Sequence, residues 1–321
     1  MSRDVYPLKF TPIYKEKIWG GRNLERLFGR RLPGGALVGE SWELADLSEG
    51  ESVIAEGPAA GESLNDITRR WGRSLLGCAE ALPDGRFPLL LKLLDAEDIL
   101  SLQVHPDEQA VREIGPQAAL KTECWYVVES RGGMIYKGVR AGVSPEQFRR
   151  AIETDTCEQV VRAVPCKAGD FHFLPAGTVH AIGAGLLIAE VQTPSDTTYR
   201  VTDWGRGREI HVERSMQCIR FDLTGEPSPG AAGETLLVTD YFTVARWSGR
   251  GMDSPRPLPM GRCAALMFLC GQAAEIRCQG AAVPVVSARA GDTVLVPAGL
   301  DGAAVAAAAD CQFLVITLPE A

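Results

Sequence analysis

The sequence predicts a mainly β protein: two barrel-like modules of short strands with a small helical element. Three observations carry that expectation. Gly and Pro cut most of the 321-residue chain into short apolar runs, the punctuation of strands and turns. A strand-and-turn signature occurs twice, as GDFHFLPAGTVHAIG at 169–183 and GDTVLVPAGLDGAAV at 291–305, so Gly169 falls on Gly291, Pro175 on Pro297 and Gly177 on Gly299. Finally, only a few stretches combine helical spacing with capping residues.

The elements follow in chain order. ALVGESWELADL and ESVIAEGP read as short strands. Residues 62–77 read as a helix, with Ser63 as its cap and Gly77 as its stop. Residues 87–106 read as two strands around the acidic turn from Asp95 to Asp98, and CWYVVES and GGMIYKGV resume the pattern. Residues 144–164 are the clearest helical stretch: Ser144 is a cap candidate, Pro145 suits the first helical position, and Thr154 to Thr156 should split the stretch into two helices. LLIAEVQ is a strand, Pro194 to Thr197 a turn, and HVERSMQCI (211–219) a short helix. DLTGEPSPGAAGET (222–235) has linker composition. After it come LLVTDYFTVARWS, AALMFLCG, AAEIRCQG, GDTVLVPAG and CQFLVITLP, evenly spaced strands of a compact sandwich or barrel. The expected organisation is a metal-bearing module over 1–221, a linker over 222–235, and a β module without metal ligands over 236–321.

Composition narrows the partners. With 33 basic and 41 acidic residues the net charge is −8, which argues against nucleic acid or an anionic membrane as partner. An anionic ligand must then be held by a local basic cluster, because exposed charges are screened over about 8 Å at physiological salt. Nine scattered cysteines without a CxxC pair read as reduced thiols. No apolar run reaches signal-peptide or membrane-span length, so a cytoplasmic location is expected.

The doubled Gly-Asp, apolar run, Pro-Ala-Gly unit is the strand and turn that lines the mouth of jelly-roll (cupin) barrels, so the two modules are expected to be barrels of that type. The copies differ in chemistry: His180 in the first falls on Gly302 in the second. Gln103 and His105, two apart in SLQVHPDE, share one face of a strand. Glu123 in KTECWY opens another strand, with Cys124 on its opposite face. An amide oxygen, a carboxylate and two imidazoles would make an N₂O₂ set that suits Zn²⁺ and also admits Mn²⁺, Co²⁺ or Fe²⁺.

The runs KIWGGRNL, GESWELA, FPLLLKLLDAEDILSLQVHPDE, KTECWY, GTVHAIG and LIAEVQTPSDTTYRVTDWGR, with a weaker DYFTV at 240–244, resemble the type I mannose-6-phosphate isomerases, in their short bacterial two-cupin form. That resemblance implies one Zn²⁺ per chain, held by Gln103, His105, Glu123 and His180, and a hexose phosphate as substrate. It implies interconversion of mannose 6-phosphate and fructose 6-phosphate through a cis-enediol. Arg200 would steady the enediolate. Lys121, Glu190 and Asp196 would be the acid–base candidates, Lys121 slightly ahead as base if burial beside the metal depresses it. Lys92, Ser101 and Arg206 would bind phosphate.

Two rival readings stay open: a sugar-phosphate-sensing or regulatory cupin that binds metal without turnover, and an isomerase of a different sugar. His172 alternates with Phe171 and Phe173, and reads as a satisfied barrel histidine in preference to a fifth ligand or proton shuttle. His211 reads as a surface residue. Trp19, Trp42, Trp125 and Trp204 read as core, with Trp19 or Trp42 possible at the pocket entrance. Only 57 residues separate Glu123 from His180, so the helical insertion of longer relatives is absent there. A monomer or weak homo-oligomer is expected.

Overall fold

A computed structural model of the chain describes residues 5–223 and 234–320. Most of the expected linker, 222–235, lies outside the described residues.

The described chain is mainly β. Its first part forms two antiparallel sheets. The larger has six strands in the order Phe171–Leu174, Glu123–Ser130, Leu186–Gln192, Leu90–Ala96, Val38–Leu44 and Ile13–Gly21. The smaller has five, in the order Val161–Pro165, Met134–Val139, His180–Ile182, Leu102–Val104 and Tyr199–Thr202. The two strands expected within 87–106 are both present, but the turn between them carries the chain from one sheet to the other. Trp125, Val127, Ile135, Ile182, Ile188 and Leu94 form one of the buried apolar clusters of this part. Leu102, Val104 and Val201 of the smaller sheet pack instead with Ala110, Phe148, Ile152 and Cys218. Those four belong to the helices Glu108–Ile114, Pro145–Glu153 and Val212–Cys218. Leu102 and Val104 therefore point at the helices, and the alternation of a strand leaves Gln103 on the other face.

The helices begin where their caps stand. Ser63 accepts from the Asp66 N–H before Leu64–Trp71, and Ser144 with Gln147 closes a capping box before Pro145–Glu153. The second half of 144–164 departs from expectation. Cys157–Gln159 is a single 3₁₀ turn and Val161–Pro165 is an edge strand. Asp155 takes φ 52°, which ends the helix, and the β-branched Val160, Val161 and Val164 favour the extended chain that follows.

The later part forms a six-stranded and a four-stranded sheet. The six-stranded sheet recruits Leu8–Lys9 from the chain's beginning, paired with Leu295 and Val294. The two parts also meet at Gly77, where an added Cβ would lie 2.0 Å from the Gly261 carbonyl oxygen and φ is +70°. The helix expected over 62–77 is two, Leu64–Trp71 and Arg73–Leu76, parted at Gly72 with φ 47°; Gly77 stops the second, and because only glycine fits there it also lets the two parts close.

The repeated turn keeps its construction in both copies. Asp170 accepts from the Lys167 N–H at 2.8 Å, and Asp292 from the Arg289 N–H at 3.1 Å. His180 opens a strand, whereas Gly302 has φ +73°. A histidine in the second copy would be strained as well as solitary.

Candidate metal centre and active site

Gln103 sits at the middle of its strand, with His180 opposite on one neighbouring strand and Arg200 opposite on the other. His105 follows two residues on, and Glu123 opens its strand in the facing sheet. The strand pattern thus brings all four expected ligands together. His105, Glu123 and His180 offer ligand atoms within 4.8 Å of one another, and all three are buried. Gln103 Nε2 lies 3.3 Å from His180 Nε2. Turning the amide over would present its oxygen at that place.

Backbone carbonyls fix both rings. His105 Nδ1 lies 3.0 Å from the Thr197 oxygen and His180 Nδ1 2.8 Å from the Thr178 oxygen, so each ring donates from Nδ1 and turns a lone pair inward from Nε2. Those lone pairs face the Glu123 carboxylate at 3.4 and 3.2 Å. His105 Nε2 and both Glu123 oxygens have no hydrogen-bond partner although fully buried. Burial, then the Lys121 charge, pushes His105 down to about 3, and burial also lowers His180, so both rings are neutral at pH 7. Burial alone would raise Glu123, but the Lys121 charge is the strongest influence against it, and the carboxyl lies well below its usual range. Acceptors thus converge on acceptors. Each orphaned buried group costs about 1–3 kcal/mol, and a divalent cation among them satisfies all at once. The donor set fits a metal.

A polar cavity of about 260 Å³ abuts this group. Its walls include seven of the expected site residues, Lys92, Ser101, Gln103, Lys121, Glu190, Asp196 and Arg200. Lys121 Nζ lies 3.2 Å from Glu123, and Lys92 Nζ lies 3.2 Å from Glu190 and 3.9 Å from Glu40. Trp125 Nε1 donates to Glu190 at 2.9 Å. Burial and the Glu123 charge push the Glu190 carboxyl up, partly offset by Lys92. Arg200 donates to the Glu209 carbonyl at 2.6 Å, while its buried Nε has no partner.

Arg206 is the exception. Its guanidinium donates to the Ile99 carbonyl at 2.6 Å and to Asp203 at 3.0 Å, and it does not line the cavity. Asp203 on its own loop and Ile99 on the turn that follows Leu90–Ala96 hold the guanidinium, so the structure does not bring this expected phosphate ligand to the cavity wall.

Four polar wall residues were not singled out by sequence as ligand-binding groups: Lys17, Glu40, Thr198 and Arg208. Lys17 and Trp19 alternate along Ile13–Gly21, as do Glu40 and Trp42 along Val38–Leu44. That period-two pattern was the available signal. Trp19 lines the cavity as entertained, whereas Trp42 is buried beside it, donating to Glu40 at 2.8 Å with Lys92 5.4 Å from its ring.

His172 is buried with Nε2 3.4 Å from Cys166 Sγ. Cys166, Asp170 and His172 also lie close enough to hold an ion. Burial, however, lifts the thiol to about 11 and drops the imidazole to about 4, with Lys137 adding to the drop, so the pair is neutral and already bonded. A larger cleft of about 460 Å³, lined by Leu82, Pro88, Leu120, Pro194, Tyr241 and Leu318, gathers no comparable ligand group.

Fold and site together define a mainly β protein with a buried histidine–glutamate group that could hold a metal, next to a charged cavity. Residues 8–126 match the family model for the phosphomannose isomerase type I catalytic domain. The mannose-6-phosphate isomerase ManA of Bacillus subtilis (strain 168) is 38% identical over 264 residues, 77% of this chain and 81% of that protein. The chain belongs to the type I phosphomannose isomerase family. A mannose-6-phosphate isomerase of Streptococcus mutans is 36% identical over 258 residues, 76% of this chain and 79% of that one. The crystal structure of the mannose 6-phosphate isomerase from Bacillus subtilis has a TM-score of 0.83 at 28% identity, over 97% of this chain and 99% of that one. The apo form from Salmonella typhimurium gives 0.77 at 17% identity over 99% and 100%, a likeness of fold.

Proposed function

We propose that the chain interconverts mannose 6-phosphate and fructose 6-phosphate, with one Zn²⁺ held by Gln103, His105, Glu123 and His180. The observation that carries this reading is the convergence of two imidazole lone pairs on the buried Glu123 carboxylate, beside a cavity lined by both cations and carboxylates. On the same reading the paired sheets are two jelly-roll (cupin) barrels, and the second serves shape. No helix among the described residues is long and apolar enough to cross a membrane; a cytoplasmic enzyme acting on a free hexose phosphate is the reading we adopt.

The reaction moves a proton between C1 and C2 of the open-chain sugar and passes through a cis-enediol. The bound ion would supply a fixed positive charge beside O1 and O2. Gln103 and Lys121, on the inner wall, orient that end of the sugar. Arg200 faces the same end: its unpartnered Nε is a donor for oxygen charge that grows in the transition state. Glu190 is the proton carrier we favour, ahead of Lys121. Burial and Glu123 raise its carboxyl, which strengthens it as a base. Asp196, at the exposed side of the cavity, is placed to assist ring opening. Ser101 and Lys92 contact sugar hydroxyls in this arrangement.

A coupled assay on purified protein tests the reading. Mannose 6-phosphate should be converted to fructose 6-phosphate, with other aldose phosphates slower. Binding without turnover would point to a sensor, and faster turnover of another sugar to a different isomerase.

A further inference from the structure

We infer that His211 is a positioning residue for Arg200: its ring closes the free edge of the strand that carries Arg200, and so aims the guanidinium at the metal end of the sugar. The inference rests on the reading above, in which Arg200 steadies oxygen charge in the transition state.

Arg200 lies on Tyr199–Thr202, the last strand of the five-stranded sheet. On one side that strand pairs with Leu102–Val104, which sets Arg200 opposite Gln103. On the other side no strand follows, and an outward backbone N–H or C=O there needs a partner of another kind. For Arg200 a single residue supplies both partners. The His211 N–H donates to the Arg200 carbonyl at 2.7 Å, and the Arg200 N–H donates to His211 Nδ1 at 3.0 Å. The imidazole thus stands where the carbonyl of a further strand would stand.

The sequence reads His211 as a surface residue, but the structure half-buries it, with the Tyr199 ring edge-on at 6.0 Å. Its carbonyl accepts from the Ser215 N–H at 2.8 Å, so the helix Val212–Cys218 begins on it and fixes its place. Because Nδ1 accepts, the ring proton sits on Nε2, the reverse of His105 and His180.

The same segment holds the other end of Arg200. Its Nη1 donates to the carbonyl of Glu209, two residues before His211, at 2.6 Å. With the main chain and one guanidinium nitrogen both held, the buried Nε is the donor left without a protein partner, and it is the one the reaction needs. Aim matters here, because a misplacement of about 1 Å can cost about 10²-fold in rate.

The test uses the metal-loaded enzyme and two substitutions that divide the ring's properties. His211→Phe keeps a ring against Tyr199 and loses the acceptor, whereas His211→Asn loses the ring and keeps an acceptor as many bonds from Cβ as Nδ1. His211→Phe should lower kcat by ~10-fold or more, with KM within ~3-fold and the metal retained. His211→Asn should return kcat to within ~3-fold of wild type. In an Arg200→Ala background, His211→Phe should change kcat by less than ~2-fold, since a residue acting through Arg200 has nothing left to position. A histidine that served stability alone would cost the same in both backgrounds. Normal kcat in His211→Phe, an equal loss in the two backgrounds, or no recovery in His211→Asn would overturn the inference. Hydrogen exchange at the Arg200 amide, followed by NMR without substrate, separates it from the isomerase reading. Exchange should be at least ~10-fold faster in His211→Phe than in wild type, and an unchanged rate would also overturn the inference. If wild type fails to turn over mannose 6-phosphate, the isomerase reading falls, while faster exchange in the variant would still mark His211 as the group that holds Arg200.

Discussion

His105 Nε2 and Glu123 Oε2 lie 3.4 Å apart with no hydrogen between them, because the ring's single proton is given to the Thr197 carbonyl from Nδ1. Both atoms are acceptors, both are buried, and a neighbouring ring, His180, repeats the arrangement at 3.2 Å. Removing either ring should therefore remove the cation as well as the chemistry. His105→Ala and His180→Ala are each expected to drop metal content from one ion per chain to near zero and to abolish turnover. Elemental analysis alongside the coupled assay checks this. Stoichiometric metal with normal activity in His180→Ala would refute the ligand assignment.

Arg200 is separable from the metal. It reaches the site from the strand next to Gln103 and contributes charge, not ligation. Arg200→Ala should keep its ion and lose about 10²- to 10³-fold in kcat, the scale for losing one transition-state donor. Loss of metal in this variant would show that the two functions are not distinct.

Glu190 gives the pH dependence. Burial and Glu123 raise its carboxyl above the ordinary 4.5. As a base it must be ionised, so kcat/KM should fall on the acid side with a midpoint above that of an ordinary glutamate. Glu190→Gln should cost about 10²-fold or more and remove that limb. Retention of the acid limb in the variant would pass the proton role to another group, with Lys121 first in line.

His172 offers a stability test away from the metal. Its imidazole is lowered to about 4 from 6.5. Between those values the unfolded chain holds the extra proton, so the residue's contribution is present above pH 6.5 and is lost as pH falls toward 4, by up to about 1.4 kcal/mol per pH unit. His172→Phe should flatten that fall while leaving turnover largely intact. Denaturant midpoints at pH 7 and pH 5 for both proteins isolate the difference, since His105 and His180 contribute equally to each. A collapse in rate would mean that His172 takes part in the chemistry.

The metal group was legible because strand alternation is local. Gln103 and His105 share a face whatever the sheet order, and Glu123 and His180 head strands marked by charged or turn residues. The distribution of strands between sheets was not legible, since it depends on contacts far apart in sequence: Leu8–Lys9 pairs with residues 294 and 295. The placing of Arg206 was not legible for a related reason: its guanidinium bonds to the Ile99 carbonyl, 107 residues away in sequence, as well as to Asp203. Residues 157–164 read as helix because their apolar residues, Val160, Val161 and Val164, fit either period; Asp155 with positive φ breaks the continuity.

The most direct measurement is of metal and rate together. Purified protein would be exhaustively dialysed, assayed with mannose 6-phosphate and analysed for bound metal, then stripped with chelator and titrated with Zn²⁺. The account predicts that activity falls with the metal, and that Zn²⁺ restores it in proportion to occupancy, saturating at one ion per chain. Full activity in protein shown to hold no metal would contradict it.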